Sequence, residues 1–228
     1  MLILILLSIA AGYFLGSIPV GYLVARSRGV NILEHGSKNP GATNVMRVLG
    51  EKFGPAGKRL GYLVFALDAA KGACATGWPV LAAKLGLLCA TGAAHTETLA
   101  LIGLASALLG NGYSCFMRFK GGKGVSTGAG GFLVLMPLSL VIALLVWWVL
   151  FEITRYVSLA SMIATASLSV TSLAMHLLWV EHGFWWIPSP VTVGISALAA
   201  VFVAWRHRSN ISRLLNGTEN KFVRKSRT

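Results

Sequence analysis

The chain alternates long uncharged stretches with compact basic clusters, and few folds accommodate that pattern. Residues 1–25 contain no Asp, Glu, Lys or Arg, and further apolar stretches cover 60–83, 86–113, 125–151, 157–180 and 184–204. A helix needs about 20 apolar residues to cross a bilayer, so each stretch is long enough to span one. Only 12% of the residues are charged and 55% are hydrophobic, whereas soluble domains carry about 25% charged residues. That balance argues against both a soluble globular fold and a disordered chain. The first stretch lacks the basic n-region of a signal peptide and is expected to be retained as a helix.

The basic residues fix the topology. Of the 20 Lys and Arg, all but Lys71, Lys84 and Arg155 fall in three clusters: residues 26–59, residues 118–123 and the tail from Arg206. In a soluble protein a net charge of +13 would suggest nucleic acid. In an apolar chain it suggests cytoplasmic loops facing an anionic ligand or membrane, so no nucleic-acid partner is expected. If all three clusters are cytoplasmic, an even number of crossings separates each pair. Two apolar stretches separate the first pair, but three separate the second. One stretch must therefore hold two helices, and 125–151 is the candidate because Pro137 interrupts it. The expected fold is a single all-α polytopic domain of seven transmembrane helices, with the N-terminus outside and the C-terminus cytoplasmic. Its spans are roughly 2–25, 60–83, 90–113, 125–137, 138–152, 157–180 and 185–205, and its cytoplasmic loops are 26–59, 114–124 and 206–228. The turn at 152–156, with Arg155, then lies inside, and that at 181–186, with Glu181, lies outside. Trp147, Trp148, Trp179, Trp185, Trp186 and Trp205 fall near span ends, as an interfacial aromatic belt requires. Cys74, Cys89 and Cys115 have no disulfide or zinc spacing and are expected to be buried hydrophobes. The histidines likewise show no metal spacing, so neither a metal nor a cofactor is expected.

The three loops have the makeup of oxyanion sites. The first reads Gly36-Ser37-Lys38-Asn39-Pro40-Gly41-Ala42-Thr43-Asn44-Val45-Met46-Arg47. Its glycines let backbone N–H groups approach an anion. Ser37, Asn39, Thr43 and Asn44 offer neutral donors, and Arg47 offers a fork that matches phosphate. The second reads Phe119-Lys120-Gly121-Gly122-Lys123-Gly124-Val125-Ser126-Thr127-Gly128. The spacing is not that of a P-loop, so ATP hydrolysis is not indicated. Lys120 and Lys123, with Gly121, Gly122 and Gly124, nevertheless lead into a helix N-terminus whose dipole favours an anion. In the tail, His207 and Asn210 share a helix face at the membrane edge and are candidates for acid–base work. Within the spans, Asp68 and Lys71 form either a structural pair or a means of aiming Lys71 at the cytoplasmic pocket. Asn111 is either an interhelical hydrogen bond or a pocket residue.

Together these stretches resemble the bacterial membrane acyltransferases that make lysophosphatidic acid from acyl phosphate and glycerol 3-phosphate, the PlsY family. The resemblance rests on Gly16-Ser17-Ile18-Pro19-x-Gly21, on the first loop from Gly36 to Arg47, and on Leu67-Asp68-x-x-Lys71-Gly72. It continues through Phe119–Val125, Thr154-Arg155-Tyr156-Val157-Ser158, and the tail from Trp205 through Arg213 and Leu214 to Gly217 and Glu219. These run in order over nearly the whole chain. Asn111 stands where the family often has His, and Lys38 and Pro40 replace residues that are commonly Gly and Ile.

The resemblance implies a multi-pass enzyme of the bacterial inner membrane, with its active site on the cytoplasmic face. It implies transfer of a fatty acyl group to the 1-hydroxyl of glycerol 3-phosphate, the first step of phospholipid synthesis. Ser37, His207 and Asn210 are then the expected catalytic residues. Asn39, Thr43, Asn44, Arg47, Lys71, Lys120, Gly121, Gly122, Lys123 and Gly124 are the expected substrate ligands. The expected partners are glycerol 3-phosphate, acyl phosphate, membrane lipids and a soluble enzyme that makes the acyl phosphate. Direct attack by the acceptor hydroxyl, with His207 or a substrate phosphate as base, competes with an acyl-Ser37 intermediate. The competing classes are a transporter of an organic phosphate, whose polar path would have to use Asp68, Lys71 and Asn111, and a lipid-headgroup binder. The tail from Lys221 to Arg227 is expected to contact anionic lipid.

Overall fold

The computed structural model describes residues 1–88, 92–182 and 187–222, and among these every regular element is helical. The chain divides into two compact units, one ending at Leu135 and one beginning at Met136.

The first unit contains α1 (Leu2–Ser17), α2 (Val20–Arg26), α3 (Ala42–Lys84), α4 (Ala93–Gly112), a 3-10 turn at Cys115–Met117, and α5 (Val125–Leu135). Pro19, which has no N–H to donate, separates α1 from α2. α3 is broken at Gly54, whose φ of +60° suits a residue without a Cβ, and Pro55 follows the break. The limb at 42–53 folds back on 55–84. A methyl on Gly57 would overlap the Leu49 carbonyl, and one on Gly61 would overlap Met46. The short limb buries Val45, Val48 and Leu49 with Ala25, Val30 and Ile32, and with Val64 of the long limb. The stretch expected to be a cytoplasmic loop over 26–59 therefore carries a helical limb of its own. Its apolar residues repeat every three to four positions but are too few to form a span.

Close helix contacts hold the rest of this unit. A Cβ on Gly16 would overlap the Ala107 carbonyl, which brings α1 against α4, and one on Gly130 would overlap the Ala69 carbonyl, which brings α5 against α3. Lipid is as apolar as leucine, so helices in a membrane gain from small residues that let their backbones approach.

The second unit contains α6 (Pro137–Thr154), α7 (Val157–Trp179), a 3-10 turn at Val180–His182, α8 (Pro190–Arg206) and α9 (Arg208–Leu215). The expected break at Pro137 is present. α5 stops at Leu135 and Pro137 opens α6 at a first-turn position, where its missing N–H costs nothing. α7 packs between α6 and α8. Trp147 Nε1 donates to Ser161 Oγ at 3.1 Å, and Ser172 and Ser196 share a hydrogen bond at 3.2 Å. The tail returns over the α6–α7 turn, where the Phe222 N–H donates to the Arg155 carbonyl at 3.1 Å and the Lys221 ammonium lies over the Tyr156 ring.

Large apolar side chains face outward, among them Leu2, Ile3, Leu177, Leu178 and Val201. Among the described residues, four stretches are long and apolar enough to cross a membrane: Leu2–Arg26, Ala93–Met117, Pro137–Thr154 and Val157–Trp179. α8 and α9, bent by 59° between them, make a fifth if the pair is counted as one span. The chain is a multi-pass membrane protein. α5 has 11 residues, which at 1.5 Å per residue reach roughly 16 Å, about half of a hydrocarbon core of about 30 Å. The cysteine expectation is corrected at Cys74, which is exposed on the outer face of α3, and Cys115 is half-buried. Apolar residue types are expected on either side of a lipid-facing helix, so sequence does not separate the two. Cys89, Trp185, Trp186, Arg224, Lys225 and Arg227 lie outside the described residues.

Gly130→Ala should cost about 1–3 kcal/mol by overpacking. Gly194→Ala on α8, where a Cβ meets nothing within 4 Å, should gain about 0.5–1 kcal/mol in helix propensity. Thermal midpoints in detergent check the pair. Equal shifts for both would show that the α3–α5 contact does not depend on its glycine.

Candidate functional site

The first loop is shaped from within by one amide. Asn44 is buried in the first turn of α3, and its Oδ1 accepts the Ser37 N–H at 2.9 Å. Its Nδ2 donates to the carbonyls of His35 and Asn39, both at 3.0 Å, and lies 3.4 Å from that of Ile32. Gly36 and Lys38 both take positive φ, and a Cβ on Gly36 would overlap Asn44 Oδ1. Asn44 was expected as a substrate ligand; here both of its amide N–H groups go to carbonyls of the loop and its Oδ1 accepts from Ser37. It forms the turn that presents Ser37 and Asn39. Ser37, Asn39, Thr43 and Arg47 are all half-buried, Thr43 and Arg47 on the short limb of α3.

The second loop rests on the C-terminal end of α4. The Gly122 N–H donates to the Asn111 carbonyl at 2.8 Å, and a Cβ on Gly121 would overlap that same carbonyl. Arg118 and Phe119 both take positive φ, and Phe119 N–H returns to the Ser114 carbonyl at 2.8 Å. Gly124, at φ +82°, turns the chain into α5. Lys123 is half-buried and Lys120 is exposed. Both loops are tied to the break in the first helix. A Cβ on Gly21 would overlap the Pro40 carbonyl, and Ser114 Oγ donates to the Ser17 carbonyl at 2.6 Å.

Lys71 does not join these loops as a ligand. It is 7% exposed. Its ammonium lies 2.9 Å from Asp68 Oδ1 and donates to the carbonyls of Gly16 (2.9 Å) and Ile18 (3.0 Å) and to Asn111 Oδ1 (3.0 Å). Three N–H groups facing four oxygens leave no donor for a substrate. The structural alternative considered for the Asp68–Lys71 pair is the one observed.

In the second unit, His207 joins α8 to α9 and is 3% exposed. Its Nδ1 lies 2.8 Å from the Val203 carbonyl, so Nδ1 carries the proton and, in the neutral ring, Nε2 carries the lone pair. Asn210, also 3% exposed, donates from Nδ2 to Glu219 Oε1 at 2.6 Å. The same carboxylate accepts from Ser158 Oγ at 2.8 Å and from Arg213 Nε at 2.7 Å. Burial pushes the Glu219 carboxyl up, but the hydrogen bonds from Asn210, Ser158 and Arg213 and the Arg213 charge outweigh it. They hold the group below the ordinary carboxylate range. Ser158 and Glu219 were not singled out individually from the sequence. The available signal was that Glu219 is the only acid in an otherwise basic tail.

A family model described as glycerol-3-phosphate acyltransferase matches residues 6–217. A curated glycerol-3-phosphate acyltransferase of Geobacter sulfurreducens is 43% identical over 93% of this chain and 95% of its own. One of Fusobacterium nucleatum is 39% identical over 92% and 94%. Among solved structures, the glycerol 3-phosphate form of PlsY, described as an integral membrane glycerol 3-phosphate acyltransferase, superposes with a TM-score of 0.75. It is 33% identical, and the match covers 96% of each chain. The lysophosphatidic acid form of PlsY gives a TM-score of 0.74 at 34% identity over 96% and 95%.

The Glu219 cluster makes stability depend on pH. The folded carboxyl binds its proton less readily than the unfolded one, so the contribution is full above the unfolded value of about 4.3. It disappears as pH falls through the lower folded value. Thermal midpoints between pH 7 and pH 3 should fall for the wild type and flatten for Glu219→Gln. An unchanged slope in that variant would remove Glu219 as the source.

Proposed function

The chain belongs to the glycerol-3-phosphate acyltransferase family, and we propose that it transfers a fatty acyl group from acyl phosphate to the 1-hydroxyl of glycerol 3-phosphate, giving lysophosphatidic acid. The observation that carries this reading is the pair of Gly-rich cationic loops tied to one helix break. They lie within a chain alignable over 96% of its length with a PlsY structure in its glycerol 3-phosphate form. Acyl phosphate is a mixed anhydride with a good leaving group. The protein's task is to hold two phosphates and to stabilise the charge that develops between them. In this reading Arg47, Lys120 and Lys123, with the N–H groups around Gly121, Gly122 and Gly124, bind phosphate. Ser37, Asn39 and Thr43 orient the acyl phosphate and the glycerol hydroxyls. The 1-hydroxyl oxygen bonds to the acyl carbon, the bond from that carbon to the phosphate oxygen breaks, and inorganic phosphate leaves. The hydroxyl proton passes to His207 Nε2 or to a phosphate oxygen. Asn210, held by Glu219, keeps the turn after His207 in place.

The proposed topology has seven crossings: α1 with α2, the long limb of α3, and α4 to α8, with the N-terminus outside. Residues 26–59, 114–124 and 206–228 then face the cytoplasm of a bacterial inner membrane, where anionic lipid headgroups meet the basic tail. Because α5 is short, the loop before it would sit below the headgroup plane. By family resemblance, a separate soluble enzyme would supply the acyl phosphate. The transporter alternative would need an open polar path. Asp68, Lys71 and Asn111, which would have to form that path, are engaged with one another.

Purified protein given acyl phosphate and labelled glycerol 3-phosphate should form labelled lysophosphatidic acid. No product with fresh substrates would overturn the enzyme reading. Arg47→Ala and Lys123→Ala should each raise the KM for a phosphate substrate about tenfold or more, since a charge-assisted bond is worth 1.5–3 kcal/mol. Wild-type kinetics in either variant would remove that residue from the phosphate site. His207→Ala should lower kcat by roughly a hundredfold if the ring is the base. A loss of less than about threefold would give that role to a phosphate oxygen.

A further inference from the structure

The Lys71 ammonium faces four oxygens in the first unit, and the proposed chemistry does not use it. Its surroundings explain why a cation is buried there. α1 ends at Ser17, and Pro19 supplies no N–H to continue the helix. The last carbonyls of a helix lack intrahelical partners, and within a membrane no bulk water replaces them. Lys71 donates to two carbonyls at this break, those of Gly16 and Ile18, and Asp68 offsets its charge.

Its remaining contact leads to the second loop. Lys71 Nζ lies 3.0 Å from Asn111 Oδ1. The backbone carbonyl of Asn111 accepts the Gly122 N–H, and a Cβ on Gly122 would sit 2.8 Å from Asn111 Nδ2. The Gly121–Gly122 backbone therefore lies directly on residue 111, and the Asn111 rotamer is fixed from beneath by a buried cation. Lys71 is buried and Asn111 half-buried, so the cation's end of this bond is shielded from solvent.

From this geometry we infer that Lys71 and Asn111 are positioning residues for the phosphate loop. Lys71 fixes the Asn111 side chain, and Asn111 sets the height and register of Gly121, Gly122 and Lys123. This rests on the reading that residues 120–124 bind a substrate phosphate. Displacing such a loop by an ångström leaves every ligand in place but spoils the geometry, a loss that can reach about a hundredfold. The effect is predicted for the phosphate substrate that Lys123 holds. A histidine at 111, which the sequence resemblance suggests is common there, would still offer Lys71 one ring-nitrogen acceptor.

The test is steady-state kinetics on the purified full chain, with KM for glycerol 3-phosphate and for acyl phosphate measured separately. Lys123→Ala first identifies which KM reports on the loop. Asn111→Leu should raise that same KM about tenfold, with a thermal midpoint near that of the wild type, and Asn111→His should restore the KM to within about threefold. The double variant Asp68→Asn with Lys71→Met removes both charges together, so no buried carboxylate is left unpaired. It should raise the same KM, and combining it with Asn111→Leu should add little, as expected for residues acting in one chain of contacts. If Asn111→Leu does not fold, Asn111→Ala carries the same expectation. The inference is overturned if Lys123→Ala raises a KM but the Asn111 variants do not, or if they lower only the thermal midpoint. If Lys123→Ala itself changes no KM, the phosphate-loop reading fails first and this inference falls with it.

Discussion

A helix that stops among buried groups leaves carbonyl oxygens without intrahelical partners, and α1 stops at Ser17. The protein answers with a buried lysine. Lys71 satisfies Gly16 and Ile18, and Asp68 balances its charge. Once that bond is in place, the 17–21 break becomes an anchor. Ser114 holds on to Ser17, Asn111 holds on to Lys71, and Pro40 packs against Gly21. Both Gly-rich loops of the first unit are thus referenced to one interrupted helix. Polar groups in apolar helices are costly, and here a single cation serves three elements.

The second physical theme is close approach. Without a hydrophobic difference between protein and lipid, helix pairs depend on surface fit and on internal hydrogen bonds. Gly16 and Gly130 let backbones touch in the first unit. In the second, serines and a tryptophan do comparable work through Trp147–Ser161 and Ser172–Ser196. The glycines that make the loops suited to phosphate therefore belong to a wider economy of small residues. Some are needed for packing alone.

Much of the architecture was legible in the sequence because membrane constraints act on single residues. Pro137 cannot lie inside a helix without cost, and the break is where the parity of basic loops required it. The helical limb over 42–53 was not legible, because it is too short for a span and sits among loop-like residues. Side-chain roles were harder still. An asparagine in a Gly-rich loop donates equally well to a substrate or to its own backbone, and spacing does not distinguish them. Asn44 turned out to do the second. Lys71 reaches partners 40 to 55 residues away in the chain, and Glu219 reaches Ser158 across 61. No local pattern encodes such pairings.

The Asn44 staple also bears on how a small, strongly hydrated dianion could be captured. Residues 35–39 are held in their turn by hydrogen bonds inside the protein. The entropy of ordering that turn is therefore lost once, when the chain folds, and not again at each turnover. On the proposed reading, what an incoming phosphate must still give up is its own water shell, so its capture would be governed by desolvation and charge more than by motion of this turn.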